Sequence, residues 1–447
     1  MALELNYFWT WDHRCNWVLD DPGLQLTGCF NPYLKRPETF VEDYRRLTDV
    51  CAEGGIPGIV IYGFLRDSHG GMDAAREVVR YAADRGVRIL PNLGTTAFGG
   101  AYYEGEHEFN LDTFLLRHPD CVQIEKDGKP SEQKWLCPTH PEVIRWMKDG
   151  ARWLMETFEV GGVNVENGDL MSCHCPRCIK RREGLEPGEL DYFKTQLDGY
   201  GPCLEALGPY MADRWITYAT YSGFAQYEGE VPEGLGFRKG RTPAFVAEFP
   251  GEAVAQWTLT KMLLQQPLPL TAYLEDGAPE AVYENPNWPR GLKVPGERAV
   301  GYVHQGSHFG LTRHSLVVSS IKEACLRGAE AGLKGISIYG EVTDRCTPWW
   351  LSYQAYFHFV RRPQDSLRQF ANARLAPVLG GEDAAQLFIE VLAHWTAGEV
   401  AEPLRKALFD EFFKRDVERD GLEAFNLWYW LFRQVCEPPE SAKCGFF

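Results

Sequence analysis

One pattern recurs eight times along this chain: a short apolar run, then a stretch with helical periodicity. The runs are 5–11, 58–64, 88–93, 162–166, 215–221, 253–259, 299–304 and 334–341. In the segment 37–54, Phe40, Val41, Tyr44, Leu47 and Val50 recur at helical spacing. Further helical stretches are read at 72–85, closed by Gly86 as a C-cap, and at 141–158, 190–213 and 315–331. Alternation of this kind specifies parallel strands covered by helices. Eight units in about 340 residues fit a (β/α)8 barrel with enlarged loops. The Pro- and Gly-rich region 222–300 reads as long loops over the barrel mouth, and 268–274 competes there for the sixth or seventh strand. The barrel is expected over 1–346, with an α-helical extension packed on it over 347–447.

Chemistry in such a barrel collects at the C-terminal strand ends, and here those ends are polar. Two apolar runs finish on a carboxylate, Gly162-Val163-Asn164-Val165-Glu166 and Gly335-Ile336-Ser337-Ile338-Tyr339-Gly340-Glu341. Glycosidic bond cleavage generally needs two carboxyl groups, one acid and one nucleophile or base. Glu166 suits the acid and Glu341 its partner. The plainer readings are a carboxylate held by backbone amides for Glu166 and an ion pair with Arg345 for Glu341. Glu248 and the pair Glu275 and Asp276 are reserves for the second role. Trp11, Asp12 and His13 end the first run, Asn92 the third and Tyr221 the fifth, while Asn167 follows the fourth and His304 and Gln305 the seventh. With Trp257 and Trp349 these are candidate substrate-binding residues, because aromatic faces and polar groups around one mouth make a sugar pocket. The plainer reading of any one of the 14 Trp residues is core packing.

Cys173-His174-Cys175-Pro176-Arg177-Cys178 is a C-x-C-x-x-C triplet directly behind the Glu166 segment, and Cys137 lies upstream. Four thiolates are what a closed tetrahedral zinc site requires, and they leave no open position for catalysis by the metal. Cys137, Cys173, Cys175 and Cys178 are therefore the expected ligands of a structural zinc. Four unrelated buried cysteines are the alternative.

Net charge is −16, which argues against nucleic acid and anionic membrane surfaces as partners. No apolar run is long enough to span a bilayer. The N-terminus shows no basic segment or small-residue cleavage site, and the 13 cysteines are irregularly spaced. Together these point to reduced thiols and a cytoplasmic location. The expected partners are a carbohydrate substrate and, optionally, further copies of the chain in a homo-oligomer.

At these residues the chain resembles glycoside hydrolase family 42, the β-galactosidases. The resemblance implies a (β/α)8 barrel with its acid/base glutamate at the tip of the fourth strand. It also implies a zinc held by the loop behind that strand and by one upstream cysteine. Glu166 matches the acid/base, and Cys137, Cys173, Cys175 and Cys178 match the zinc ligands. His118-Pro119-Asp120, Trp135-Leu136-Cys137 and Pro141-Glu142-Val143 look like the upstream region. The local match covers residues 115–180. Two departures matter. The family has Asn immediately before the acid/base, where this chain has Val165. Its nucleophile lies on the seventh strand, where this chain has His304 and Gln305. The tail from Trp349 through Arg362-Pro363 to Leu379-Gly380 is similar to the helical region of α-glucuronidase-like glycosidases. A divergent glycosidase with its own substrate is expected. Its rivals are a non-catalytic carbohydrate-binding barrel and a metal-dependent sugar isomerase or lyase using His304.

Overall fold

The computed structural model describes residues 3–18, 35–97, 99–166, 172–184, 189–220, 226–227, 252–259, 267–277, 279–283, 292–293, 296–304 and 316–436. Eight parallel strands close into a barrel: β1 (Tyr7–Trp11), β2 (Gly58–Tyr62), β3 (Arg88–Leu93), β4 (Gly162–Val165), β5 (Trp215–Thr220), β6 (Val254–Thr258), β7 (Ala299–Val303) and β8 (Gly335–Tyr339). Following the strand pairs once around the ring returns to β1 eight residues from the starting point. That stagger is the one the (β/α)8 barrel takes. The segment 268–274, the competing strand, instead forms a 3-10 turn at Leu270–Tyr273. Residues 226–227 and 292–293 pair as a short antiparallel ribbon outside the ring.

The covering helices are α1 (Pro37–Gly54), α2 (Gly71–Ala83), α3 (Leu111–Arg117), α4 (Pro141–Thr157), α5 (Pro176–Arg181), α6 (Glu189–Leu207), α7 (Val318–Glu330) and α8 (Thr347–Phe359). Phe8 points out of β1 and meets Tyr353, Tyr356 and Phe357 of α8 at ring centroid distances of 5.1, 5.4 and 6.2 Å. Helix α8 is thus the eighth helix of the ring. The extension carries α9 (Glu382–Thr396), α10 (Glu402–Phe412) and α11 (Leu422–Cys436).

Side chains alternate inward and outward along each strand. Tyr7 and Gln256 both point inward, since the Tyr7 hydroxyl donates to Gln256 Oε1 at 2.7 Å. Across β3, β4 and β5 the inward set is Asn92, Asn164 and Thr217, linked by hydrogen bonds of 2.7 and 2.8 Å. Interiors of such barrels are usually filled by branched apolar residues. This one carries a buried polar layer at the level of the mouth.

Candidate active site

Inward parity places Glu166 two residues beyond Asn164, Glu341 two beyond Tyr339, and Trp11 two beyond Trp9. These side chains share the inward face at the C-terminal mouth. Strands β4 and β8 are four places apart in a ring of eight, so Glu166 and Glu341 face each other across the barrel. Both are almost fully buried, 6% and 2% exposed. Asn164 Nδ2 lies 3.4 Å from Glu166 Oε2, and the Trp11 backbone N–H donates to Glu341 Oε1 at 2.9 Å. Arg345, the partner an ion pair at Glu341 would need, is exposed.

Tyr302, inward on β7, ties the two carboxylates together. Burial pushes its phenol well above the ordinary range. Tyr339, Glu166 and Glu341 each push it the same way. Tyr7 below responds likewise, to burial first and to Glu166 second. Charge at both strand tips is therefore felt inside one shared space.

The wall of that space is aromatic. The Trp11 ring lies 3.8 Å from Tyr62, centroid to centroid, and Trp9 sits among Trp11, Tyr62, Tyr302 and Tyr339 at 5.4 to 5.9 Å. Trp11 is half-buried, leaving part of its ring accessible from the mouth. Tyr103 extends the wall from the β3–α3 connection, 5.5 Å from Tyr62, with the Arg66 guanidinium 4.1 Å over its ring. His304 is half-buried at the rim, its Nε2 2.8 Å from the Tyr339 hydroxyl.

Asp12 has a different place. Its neighbour Thr10 points outward, 3.0 Å from Tyr44 of α1, and Asp12 shares that parity. It is fully buried against Arg66 Nε at 2.7 Å, His69 Nδ1 at 2.8 Å and His13 Nδ1 at 3.3 Å. Burial alone would raise its carboxyl. Arg66, with the two histidines, outweighs that and holds it well below the usual carboxylate range. Gly63 makes room for the pair: its φ is +81°, and a Cβ there would lie 2.3 Å from Asp12 Oδ1. Asp12 is a brace that fixes the β1 tip to the β2 tip, where the sequence suggested a substrate ligand. His13, 34% exposed, stays at the rim.

Both distant tryptophans are fully buried. Gln256 points inward, so Trp257 points into the helical layer, fully buried. Trp349 is fully buried in α8, 5.4 Å from Tyr353. Each serves the core, because a ring with no accessible surface offers nothing to a ligand. Glu275 and Asp276 are exposed, with Glu275 paired to Arg368 of the extension at 3.1 Å. Asn167, Tyr221, Gln305 and Glu248 lie outside the described residues. The strand parity of G-V-N-V-E already puts Asn164 on the same face as Glu166. Tyr62, Tyr302 and Tyr339 carry the same signal but read as ordinary strand residues. Arg66 and Tyr103 come from loops, and no local signal marks them.

The four cysteines of the loop behind β4 converge as a buried cluster, with ligand atoms all within 4.8 Å of one another. Cys137 Sγ is 3.6 Å from Cys175 Sγ and 3.7 Å from Cys178 Sγ. Zn–S bonds of about 2.3 Å in a tetrahedron separate the sulfurs by about 3.8 Å, so the spacing fits a metal without a disulfide. Backbone N–H groups of Ile124 and Cys178 point at Cys173 and Cys175 sulfurs, and the Thr139 hydroxyl lies 3.1 Å from Cys178 Sγ. Such outer contacts orient thiolate ligands. Beside the cluster, Cys121 Sγ lies 3.3 Å from His140 Nδ1, and the Cys121 carbonyl accepts from the Cys137 N–H at 2.8 Å.

No family model and no curated protein matches the sequence. Solved structures similar to it include the PgaB (BpsB) glycoside hydrolase domain from Bordetella bronchiseptica, with a TM-score of 0.45 and 12% identity over 81% of this chain and 99% of that one. A noncanonic maltogenic α-amylase, AmyB, from Thermotoga neapolitana gives 0.41 and 11% over 80% and 77%. A β-N-acetylhexosaminidase from Bacteroides fragilis gives 0.41 and 12%, and this chain spans 65% of it. These likenesses concern the barrel, and the functional reading rests on the site itself. Among the described residues no helix is long and apolar enough to cross a membrane.

Proposed function

We propose that this chain is a glycoside hydrolase acting on a small glycoside or oligosaccharide, a divergent relative of the family 42 enzymes, with a structural zinc at Cys137, Cys173, Cys175 and Cys178. The observation that carries the reading is the pair of inward carboxylates, Glu166 and Glu341, facing each other across an aromatic-walled mouth. A sugar ring would lie against the Trp11–Tyr62 wall. Glu166 would protonate the departing glycosidic oxygen, with Asn164 steadying its other oxygen. Glu341, held by the Trp11 backbone N–H, would activate the attacking group. Glu341 would be the nucleophile if the carboxyl groups stand about 5 Å apart, and the base that activates water if they stand about 6.5–9.5 Å apart. Bound zinc would supply no chemistry beyond fixing the loop that follows Glu166. A cytoplasmic location belongs to this reading.

The test is a panel of aryl glycosides with wild type, Glu166→Gln and Glu341→Gln. Turnover of one glycoside, lost by at least about 10² in both variants, supports the assignment. Unaltered turnover in either variant, or binding of sugars without turnover by wild type, overturns the two-carboxylate mechanism.

A further inference from the structure

Three buried polar side chains near Glu166 form a chain with a fixed direction. The Thr217 hydroxyl donates to Asn164 Oδ1 at 2.8 Å, and Asn164 Nδ2 donates to Asn92 Oδ1 at 2.7 Å. Amide groups can in general be turned over, but here Glu166 prevents it. Asn164 Nδ2 faces Glu166 Oε2 at 3.4 Å; with the acidic proton carried on Oε1, Oε2 only accepts, so an amide oxygen cannot take that place. With Asn164 so oriented, the Asn92 oxygen is occupied and its Nδ2 must point elsewhere. That nitrogen is buried, has no hydrogen-bond partner among the described residues, and belongs to a side chain 4% exposed. An unmade hydrogen bond by a buried donor costs about 1–3 kcal/mol, which a native structure rarely leaves unrecovered. Trp9 Nε1, inward on β1 and 3% exposed, is a second donor without a partner in the same interior. Asn92 Nδ2 is a donor, so the complement it awaits is an acceptor.

We propose that Asn92 is the specificity-determining donor of this site, its Nδ2 hydrogen-bonding a ring hydroxyl oxygen of the sugar held beside Glu166. The inference rests on the glycosidase reading for the identity of the ligand. The direction of the bond comes from the Thr217–Asn164–Asn92 chain and its contact with Glu166 Oε2. A site built to hydrogen-bond a substrate hydroxyl rejects the analogue that lacks it, because the buried group is left unpaired. Asn92 thus selects against deoxy sugars at one position. Thr217 and Asn164 are positioning residues that act through it.

The experiment uses the 4-nitrophenyl glycoside that wild type turns over best, with its monodeoxy analogues, against wild type, Asn92→Ala, Asn92→Asp and Thr217→Val. One deoxy analogue is expected to lose about 10²-fold in kcat/KM with wild type and no more than a few-fold with Asn92→Ala. Asn92→Asp, which turns the donor into an acceptor, should do worse on the parent glycoside than Asn92→Ala. Thr217→Val should lose about 3- to 10-fold on the parent glycoside while keeping part of the discrimination. If every deoxy analogue loses equally with wild type and Asn92→Ala, the assignment of Asn92 is overturned while the glycosidase reading stands. If no glycoside is turned over, the probe becomes calorimetric binding of galactose, glucose, xylose and glucuronate. Weaker binding of one sugar by Asn92→Ala then upholds the donor without the hydrolase, and unchanged binding of all four refutes it.

Discussion

Replacing Cys175 by serine isolates the metal from everything else the residue does. Cys175 is also the N-cap of α5, its sulfur accepting from the Cys178 N–H at 3.5 Å. Serine is a favoured N-cap, so Cys175→Ser preserves the cap and removes only a thiolate ligand. Structural zinc in small four-ligand sites contributes roughly 10–16 kcal/mol of apparent folding free energy, so one ligand in four is worth about 3 kcal/mol. For domains of 150–250 residues each kcal/mol moves Tm by about 2–4 °C, and the lower figure for a longer chain gives a fall of about 6 °C. The loss should be local. The cysteine loop is tied to the barrel by the His174 N–H on the Ile124 carbonyl at 2.7 Å and by Arg182 on the Cys173 carbonyl at 2.7 Å, and these bonds remain. Hydrogen exchange should therefore rise across residues 172–184, with the strands protected as before. Elemental analysis should give one zinc per wild-type chain and less in the variant, and a chelator should reproduce the shift in wild type. Metal-free wild type, with a Tm indifferent to both chelator and substitution, would refute the reasoning.

Glu166→Gln should cut turnover by about 10²–10⁴ on substrates with poor leaving groups and far less on activated aryl glycosides, since the latter need no proton; equal losses on both would deny it the role of acid. Proton NMR of the first-formed sugar decides the role of Glu341: retention makes it a nucleophile about 5 Å from Glu166, and inversion a base about 6.5–9.5 Å away. Asp12→Asn should destabilise the fold by about 3–5 kcal/mol, as it leaves the Arg66 charge buried without its partner. Because the Asp12 carboxyl is held low in the folded state, its contribution is full above about pH 4, the unfolded value, and is lost as pH falls further. Urea melts of the two proteins should therefore differ at pH 7 and converge in acid; a constant difference down to pH 2 would contradict the ion-pair assignment. Tyr103→Phe should leave stability within about 0.5 kcal/mol, whereas Trp11→Ala should raise KM by about tenfold with the fold intact; an unchanged KM would remove Trp11 from the sugar-binding wall.

The order of the barrel was legible before any coordinates, because each strand is a run of apolar residues bounded by breaks and each helix repeats at its own period. All eight runs proposed from the sequence overlap the eight strands of the ring. The cysteine cluster was equally legible, since C-x-C-x-x-C confines three sulfurs to one turn and leaves only a distant fourth to find. The parity of G-V-N-V-E and of G-I-S-I-Y-G-E also fixed, within the strand, that each glutamate shares a face with the residue two before it. What parity could not say is which face lies inside. For Trp257 that choice falls outward, because Gln256 beside it meets Tyr7 across the barrel. Asp12 ends a strand as Glu166 does, yet one step of parity turns it to Arg66 and His69, whose positions depend on how β2 lies against β1. The facing of Glu166 and Glu341, 175 residues apart in sequence, follows from ring closure with its eight-residue stagger. The free Asn92 donor likewise arises from three strands brought side by side. Periodicity is a property of neighbours along the chain, and it specified the elements. Facing, pairing and an unspent hydrogen bond belong to residues made neighbours by closure, so only the tertiary structure decided them.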